Sequence, residues 1–578
     1  MRIAKRVVCL GVLAFGLALP SGAAAAIAVS NQNDSGPGSL RQAVIDAPPG
    51  ETITVPDGTY ALASQIPIEK PLTINGQSKA GTVLSGGGAS RIFFVNGAGN
   101  DVTITDLTLR DGRAPAGEAN GGAILAAETA GVTLRRVIAT GNVVDASGGP
   151  GEAGGAAQGG VLSSVGGNVA IFDSALTGNL ARAAGGSEKS GGVAQGGAVF
   201  MVSGVLTLER SDLSSNRALA PGGQGPANAG QGGGVAQGGA VFLVTSVDPK
   251  LAATTLGANL ADASGGPGAG GGVAQGGGLF LVGGKQSIPI ADTTVAANVG
   301  RATGAPAGIV QGAGIFLVLG EAKASVVGVT LAGNDAGGAG LGGNVYAVGE
   351  VALANTIVSG GLGAPGASNC SAPLESGGFN LESTDECGLK AASDRVDTDP
   401  LLGPLQDNGG PGPTMAPAFG GPAVDQGAAF GLVADQRGLP RPIDFPTVPG
   451  PAFPGADGSD IGAVELQAST DFGLRKLSRN KKKGIARIRI RFPSPTFGTV
   501  VLFGKGLKKK KRTVREAGTV SLFIVPKGVA RKKLQKRGKR KVRVKVRYKA
   551  AANAPLKKAK TVKLVKKKKK AKGHKNRR

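Results

Sequence analysis

The sequence predicts an all-β chain in three parts: a solenoid of stacked coils over residues 27–465, a small basic β-sandwich-like domain over 470–565, and a disordered Lys-rich tail over 566–578. Three observations predict it. A Gly-rich block recurs at intervals of 30 to 42 residues, at Gly121-Gly122-Ala123-Ile124, Gly159-Gly160-Val161-Leu162, Gly196-Gly197-Ala198-Val199, Gly238-Gly239-Ala240-Val241, Gly276-Gly277-Gly278-Leu279, Gly312-Ala313-Gly314-Ile315 and Gly342-Gly343-Asn344-Val345. A second block ends on Asn142, Asn179, Asn216, Asn259, Asn298 and Asn334, with Ala139, Leu176, Leu213, Leu256, Val295 and Leu331 three residues earlier. Charge divides the chain: from Arg475 onward 42 Lys and Arg meet one acid, Glu516, giving +41, while the preceding 474 residues hold 23 basic and 37 acidic residues and carry −14, which together make the +27 of the whole.

Residues 1–26 read as a secretory signal peptide, with Arg2, Lys5 and Arg6 before the apolar run Val7 to Leu19 and the small residues Ala23 to Ala26 at the cut. The run is shorter than the roughly 20 residues of a spanning helix, so no transmembrane segment is expected once it is removed. Removal also takes Cys9 and leaves Cys370 and Cys387, an even pair in an exported chain, expected as one disulfide. Trp is absent and the one His is His574, which excludes Ser-His-Asp triads, His-ligated zinc and imidazole acid-base catalysis.

Within each repeat, alternation such as Val205-Leu206-Thr207-Leu208 gives strands with one face buried. Strands this short bury that face only by stacking, coil on coil about 4.8 Å apart. Stacking aligns Leu125, Ser163, Phe200, Phe242, Phe280, Phe316 and Tyr346, expected as an internal aromatic stack, and aligns the Asn residues as turn caps whose amides bond along the stack. The Gly-rich remainder of each repeat, such as Gly222 to Gly234, returns through Ala157-Gln158, Ala194-Gln195, Ala236-Gln237, Ala274-Gln275 and Val310-Gln311. These stretches are expected as loops at one corner of the coil, tolerant of length change.

These blocks resemble the right-handed parallel β-helix proteins with polymorphic-outer-membrane-protein-like repeats, which carry a Gly-Gly-Ala-Ile block and a later hydrophobic-x-x-Asn block. Asn33-Asp34-Ser35-Gly36-Pro37-Gly38-Ser39-Leu40-Arg41-Gln42-Ala43 resembles the amphipathic cap opening such helices, here about 28–46. Asn355-Thr356-Ile357-Val358, Asn369-Cys370, Gly378-Phe379-Asn380-Leu381, Asp399-Pro400-Leu401, Asn408-Gly409-Gly410, Asp435-Gln436-Arg437-Gly438, Arg441 and Asp460-Ile461-Gly462-Ala463 with Glu465 are similar, in order, to the choice-of-anchor Q type segment closing exported bacterial β-helix proteins, here about 355–465. That family continues into sorting or anchoring signals; this chain continues into its basic domain, with no sortase motif or hydrophobic tail. In that domain Ile485 to Phe492, Gly498 to Phe503, Gly518 to Val525 and Val542 to Tyr548 read as strands.

Candidate sites follow from charge. Asp106, Arg110, Asp111 and Arg113 cluster, and Arg136, Asp173 and Arg210 each lie six residues before a repeat Asn, a cross-coil ladder of alternating sign that stops at Ala253. Asp106, Arg110, Asp111, Arg136, Asp173 and Arg210 are therefore the candidates for catalysis on an anionic sugar chain; ordinary surface pairing is the alternative. Asp435, Asp457, Asp460 and Glu465, with Asp425 and Asp444, are candidates for calcium; the alternative is that Asp435, Arg437, Arg441 and Asp460 pair with one another to close the helix end. Lys541, Arg543, Lys545 and Arg547 on one strand face, with Lys566, Lys567, Lys568, Lys569 and Lys570 beyond, are the candidates for binding polyanions. The function read from these features is a secreted cell-surface protein, adhesin-like or structural, held on an anionic envelope polymer or extracellular polysaccharide, with non-specific nucleic-acid binding also open to the tail. A carbohydrate-active lyase or hydrolase is the alternative.

Overall fold

A computed structural model describes residues 27–225, 231–551 and 553–567. The expected signal peptide, Lys568, Lys569 and Lys570 lie outside them. The body is a parallel β-helix in the repeat register. Leu162 pairs with Ile124 and Val199, Val241 with Val199 and Leu279, and Ile315 with Leu279 and Val345. Next along the coil, Leu134, Ile171, Leu208, Leu251 and Ile290 form another column. The apolar residues three before each Asn are fully buried and fill a third side.

The cap is a short helix, α1 (Leu40–Asp46), whose Ser39 hydroxyl accepts from the Gln42 N–H and whose Leu40, Ala43 and Val44 cover the first coil. The far end is plugged by the Cys370–Cys387 disulfide (Cα–Cα 5.0 Å) with Leu374, Leu389 and Val396, all packed on the interior core. Closing this 17-residue separation contributes about 3 kcal/mol by loop entropy.

Three expectations need correction. The Phe200, Phe242, Phe280, Phe316 and Tyr346 rings do stack, with centroids 4.9 to 5.1 Å apart, but on the outer face of their strands. Alternation sends Val199 and Met201 to the interior and Phe200 the other way, where its column packs with Val202, Val244, Val282 and Val318.

The Gly-rich stretches, over their described residues, are not open loops; residues 226–230 of the Gly222 to Gly234 stretch lie outside that description. They form a second lobe with an outgoing ladder (Val143–Asp145, Leu180–Arg182, Arg217–Leu219, Leu260–Asp262, Val299–Arg301) and a returning one (Ala156–Gln158, Val193–Gln195, Val235–Gln237, Val273–Gln275, Ile309–Gln311) around a core of fully buried Ala. Beyond these ladders backbone packs on backbone. The Gly192 N–H donates to Ala183 O at 2.7 Å, and a Cβ on Gly192 would lie 2.0 Å from Gly155 O. The same clash recurs at Gly234 and Gly272, so these glycines make a wall possible that any side chain would split.

The closing segment, thirdly, plugs the end only with the stretch from Cys370 to Val396 and does not stop there. It runs back along the flank, where Thr255 Oγ1 donates to Pro413 O, Gln436 bonds Thr254, Thr255 and Thr294, and the Ala463 N–H donates to Thr330 Oγ1. It covers and buries a column of outward-facing threonines, Thr255, Thr294 and Thr330.

The basic domain is an antiparallel sandwich. One sheet holds Gly473–Asn480, Ile485–Phe492 and Gly518–Ile524; the other holds Lys510–Val514, Gly498–Phe503, Lys539–Ala550 and Leu556–Val565. Helix α2 (Gly528–Arg537) escaped the sequence reading because only Ala530 and Leu534 are buried, too few to show helical periodicity. Val424, Ile443, Phe445 and Ala468 share the sandwich core, which ties it to the closing segment.

Candidate polyanion-binding surface

Both outer faces of the sandwich are cationic because its strands alternate. On Lys539–Ala550, Val542, Val544, Val546 and Tyr548 are buried, while Lys541, Arg543, Lys545 and Arg547 are exposed. The Tyr548 hydroxyl donates to Phe497 O and bonds Thr496 Oγ1, so the one polar atom on the inner face is satisfied. The neighbouring strand adds to the outer face, with Lys563 directly across from Lys541 and Lys557 across from Arg547. On the other sheet Arg489 and Arg491 are exposed and Arg487 half-buried. Sequence reasoning missed these three, although the same alternation in Ile485 to Phe492 marks them.

Like charges directly opposite one another destabilise a sheet. Among the described residues, 35 Lys and Arg lie between Arg475 and Lys567, and one, Lys558, is in an ion pair, 2.8 Å from Asp471. Lys566 and Lys567, expected in the disordered tail, donate backbone N–H groups to Gly538 O and Lys481 O, so the sandwich holds the start of the tail.

The body treats its charges oppositely. Arg136 forks onto Asp106 (2.5 and 2.6 Å) and Arg210 onto Asp173 (2.7 Å), and these guanidinium hydrogen bonds hold both carboxyls below the usual range. All four occupy the same corner of successive coils in the left-handed region, φ 47° to 56°, which points them to solvent. Arg110 and Asp111 approach each other at 3.6 Å, and Arg113 pairs with Asp145. The corner column does not end at Ala253. It resumes with Asp292, φ 45°, six residues before Asn298, where the same offset would have found it.

Asp292 faces the closing segment and lies 3.7 Å from the fully buried Arg441, which also reaches Glu465 at 3.1 Å. Asp435 pairs with Arg437 and accepts the N–H groups of Leu439 and Glu465. Asp460 accepts from Asp425 and Leu466, and Asp457 from Ser459 and Ala429. Of the four residues expected to pair with one another, Asp435 and Arg437 do, whereas Arg441 turns instead to Glu465 and Asp292, the latter across a distance in sequence that no local pattern reveals. Burial pushes the carboxyls of Asp292 and Asp425 up to about 7, and burial raises both Asp460, with Glu465 beside it, and Glu465, with Asp435 nearby. Asp425, Asp435, Asp457, Asp460 and Glu465 are each engaged by backbone amides or Arg, and no group of three or more His, Cys, Asp or Glu among the described residues is arranged to hold a metal ion.

No family model matches the chain, and no curated protein matches it. No helix among the described residues is long and apolar enough to cross a membrane.

Proposed function

We propose that this is an exported β-helix protein of the cell surface, adhesin-like or structural, held non-covalently on an anionic envelope or matrix polymer by its basic sandwich. The observation that carries the reading is the set of cations left without acidic partners on both sandwich faces. A surface of this kind binds polyanions by counterion release, with no sequence code. The repeat blocks and the closing segment support kinship with the polymorphic-outer-membrane-protein-like repeats and the choice-of-anchor Q segment, and residues 1–26 support export. The mutual pairing of Asp106 with Arg136 and of Asp173 with Arg210 favours a non-catalytic body, since neither carboxylate is left free as a base.

The test is sedimentation of the full chain with isolated cell-wall material over a salt series. Retention should fall steeply and log-linearly with salt. Salt-insensitive retention would place the anchor elsewhere.

A further inference from the structure

Among the described residues, a dense cluster of unpaired charge lies in one cleft of the sandwich. Helix α2 ends at Gly538, whose left-handed φ of 69° turns the chain straight into the next strand. A Gly tolerates this conformation where other residues are strained. The Lys566 N–H donates to Gly538 O at 2.8 Å and fixes the junction against the last strand. Because no loop intervenes, the helix-end cations Lys533 and Arg537, one turn apart, stand beside Lys539, Arg540 and Lys541 of the strand and Lys563 of its neighbour. These six residues line an open cleft of about 520 Å³. None of them is in an ion pair, and Arg540 Nε is buried without a hydrogen-bond partner. The helix dipole favours cations in the last turn and accounts for Arg537, but it does not reach Lys541 or Lys563 on the sheet. A concave site lined by one sign of charge focuses its field on a counter-ion.

We propose that this cleft is a subsite for the phosphate groups of a linear phosphodiester polymer of sugars or polyols; the inference rests on the anionic-polymer reading above and names its chemistry. The Arg fork and the Lys point charges suit tetrahedral phosphate oxygens approached from several sides. No aromatic side chain lines the cleft, so it offers no platform on which a nucleic-acid base would stack. Successive phosphates along a flexible backbone neutralise several of the six cations at once.

The experiment uses the full chain with inorganic polyphosphate as probe, polygalacturonate and single-stranded DNA as comparators, at fixed moderate salt. The cleft variant Lys533→Gln/Arg537→Gln/Lys563→Gln is set against Lys476→Gln/Arg489→Gln/Arg491→Gln, which removes the same charge from the other sheet. The cleft variant should lose about tenfold more affinity for polyphosphate than the control variant, while the two lose equally towards polygalacturonate. Lys541→Gln/Lys563→Gln, which leaves the helix untouched, should reproduce the loss if the triple variant melts below wild type. Equal losses for polyphosphate in both triple variants overturn the cleft but leave the cationic surface standing. Tighter wild-type binding to polygalacturonate or to DNA than to polyphosphate overturns the phosphate chemistry, and binding to none of the three overturns the underlying reading as well.

Discussion

The helical body and the basic sandwich are both built from short alternating strands, yet they use polar groups in opposite ways. In the body nearly every polar column is closed on itself. Asn142, Asn179, Asn216, Asn259, Asn298 and Asn334 donate in sequence to the next Asn Oδ1 at 2.7 to 3.2 Å, and the chain continues through Asn344 to Asn369. Gln158, Gln195, Gln237, Gln275 and Gln311 form a second amide ladder on the wall. In the sandwich the hydrophobic core is as well closed, but the cations outside it face each other. The body's charges serve the fold, while those of the sandwich are unfavourable to the fold alone and call for an external counter-charge.

The largest effect is expected at the glycine wall of the body. Gly192→Val should prevent folding of the body or destabilise it by more than about 5 kcal/mol, because the new side chain meets Gly155 O with no room to yield. A denaturation midpoint near wild type would return the wall to the status of a loop. Asn216→Ala comes next. It strands the Asn179 amide and leaves Asn216's partners, Leu176 O and Asn259 Oδ1, short of a donor, at a cost of about 3 to 5 kcal/mol in urea unfolding. A loss below about 1 kcal/mol would mean that the ladder is decoration.

A smaller effect concerns pH. Asp292 and Asp425 titrate near 7 in the folded chain and near 4 when unfolded, so between those values the folded state holds protons that the unfolded state has released. Stability therefore falls as pH rises through this window, and the melting midpoint should be several degrees higher at about pH 5.5 than at about pH 7.5. Asp292→Asn, facing Arg441 with Glu465 and Asp435 nearby, should flatten that dependence. A midpoint that drops on mild acidification would contradict the burial of these carboxyls in and against the closing segment. Smaller again, raising salt from about 0.05 to about 0.5 M should slow amide exchange across Lys539–Ala550 by screening the opposed lysines, with little change in the body. Arg210→Gln should change stability by less than about 1 kcal/mol, since its pair with Asp173 is surface-exposed.

Much of this was legible from the residues. The repeat spacing determined the stacking register, and the fixed apolar-x-x-Asn offset has a plain cause: Asn179 and Asn216 each donate Nδ2 to the carbonyl of the apolar residue of the preceding coil, Ala139 O and Leu176 O. The even cysteine pair determined the disulfide, and Val-Lys alternation determined which face of the sandwich strand is cationic. Alternation assigns residues to two faces without saying which face is inside, so only the tertiary structure put the Phe column on the outside of its sheet. Glycine carries no side-chain signal, so only the stacked backbones distinguished a packed wall from a loop. The partners of Arg441 and the meeting of α2 with Lys541 and Lys563 were likewise decided in three dimensions, because contacts between segments distant along the chain leave no periodicity in either one.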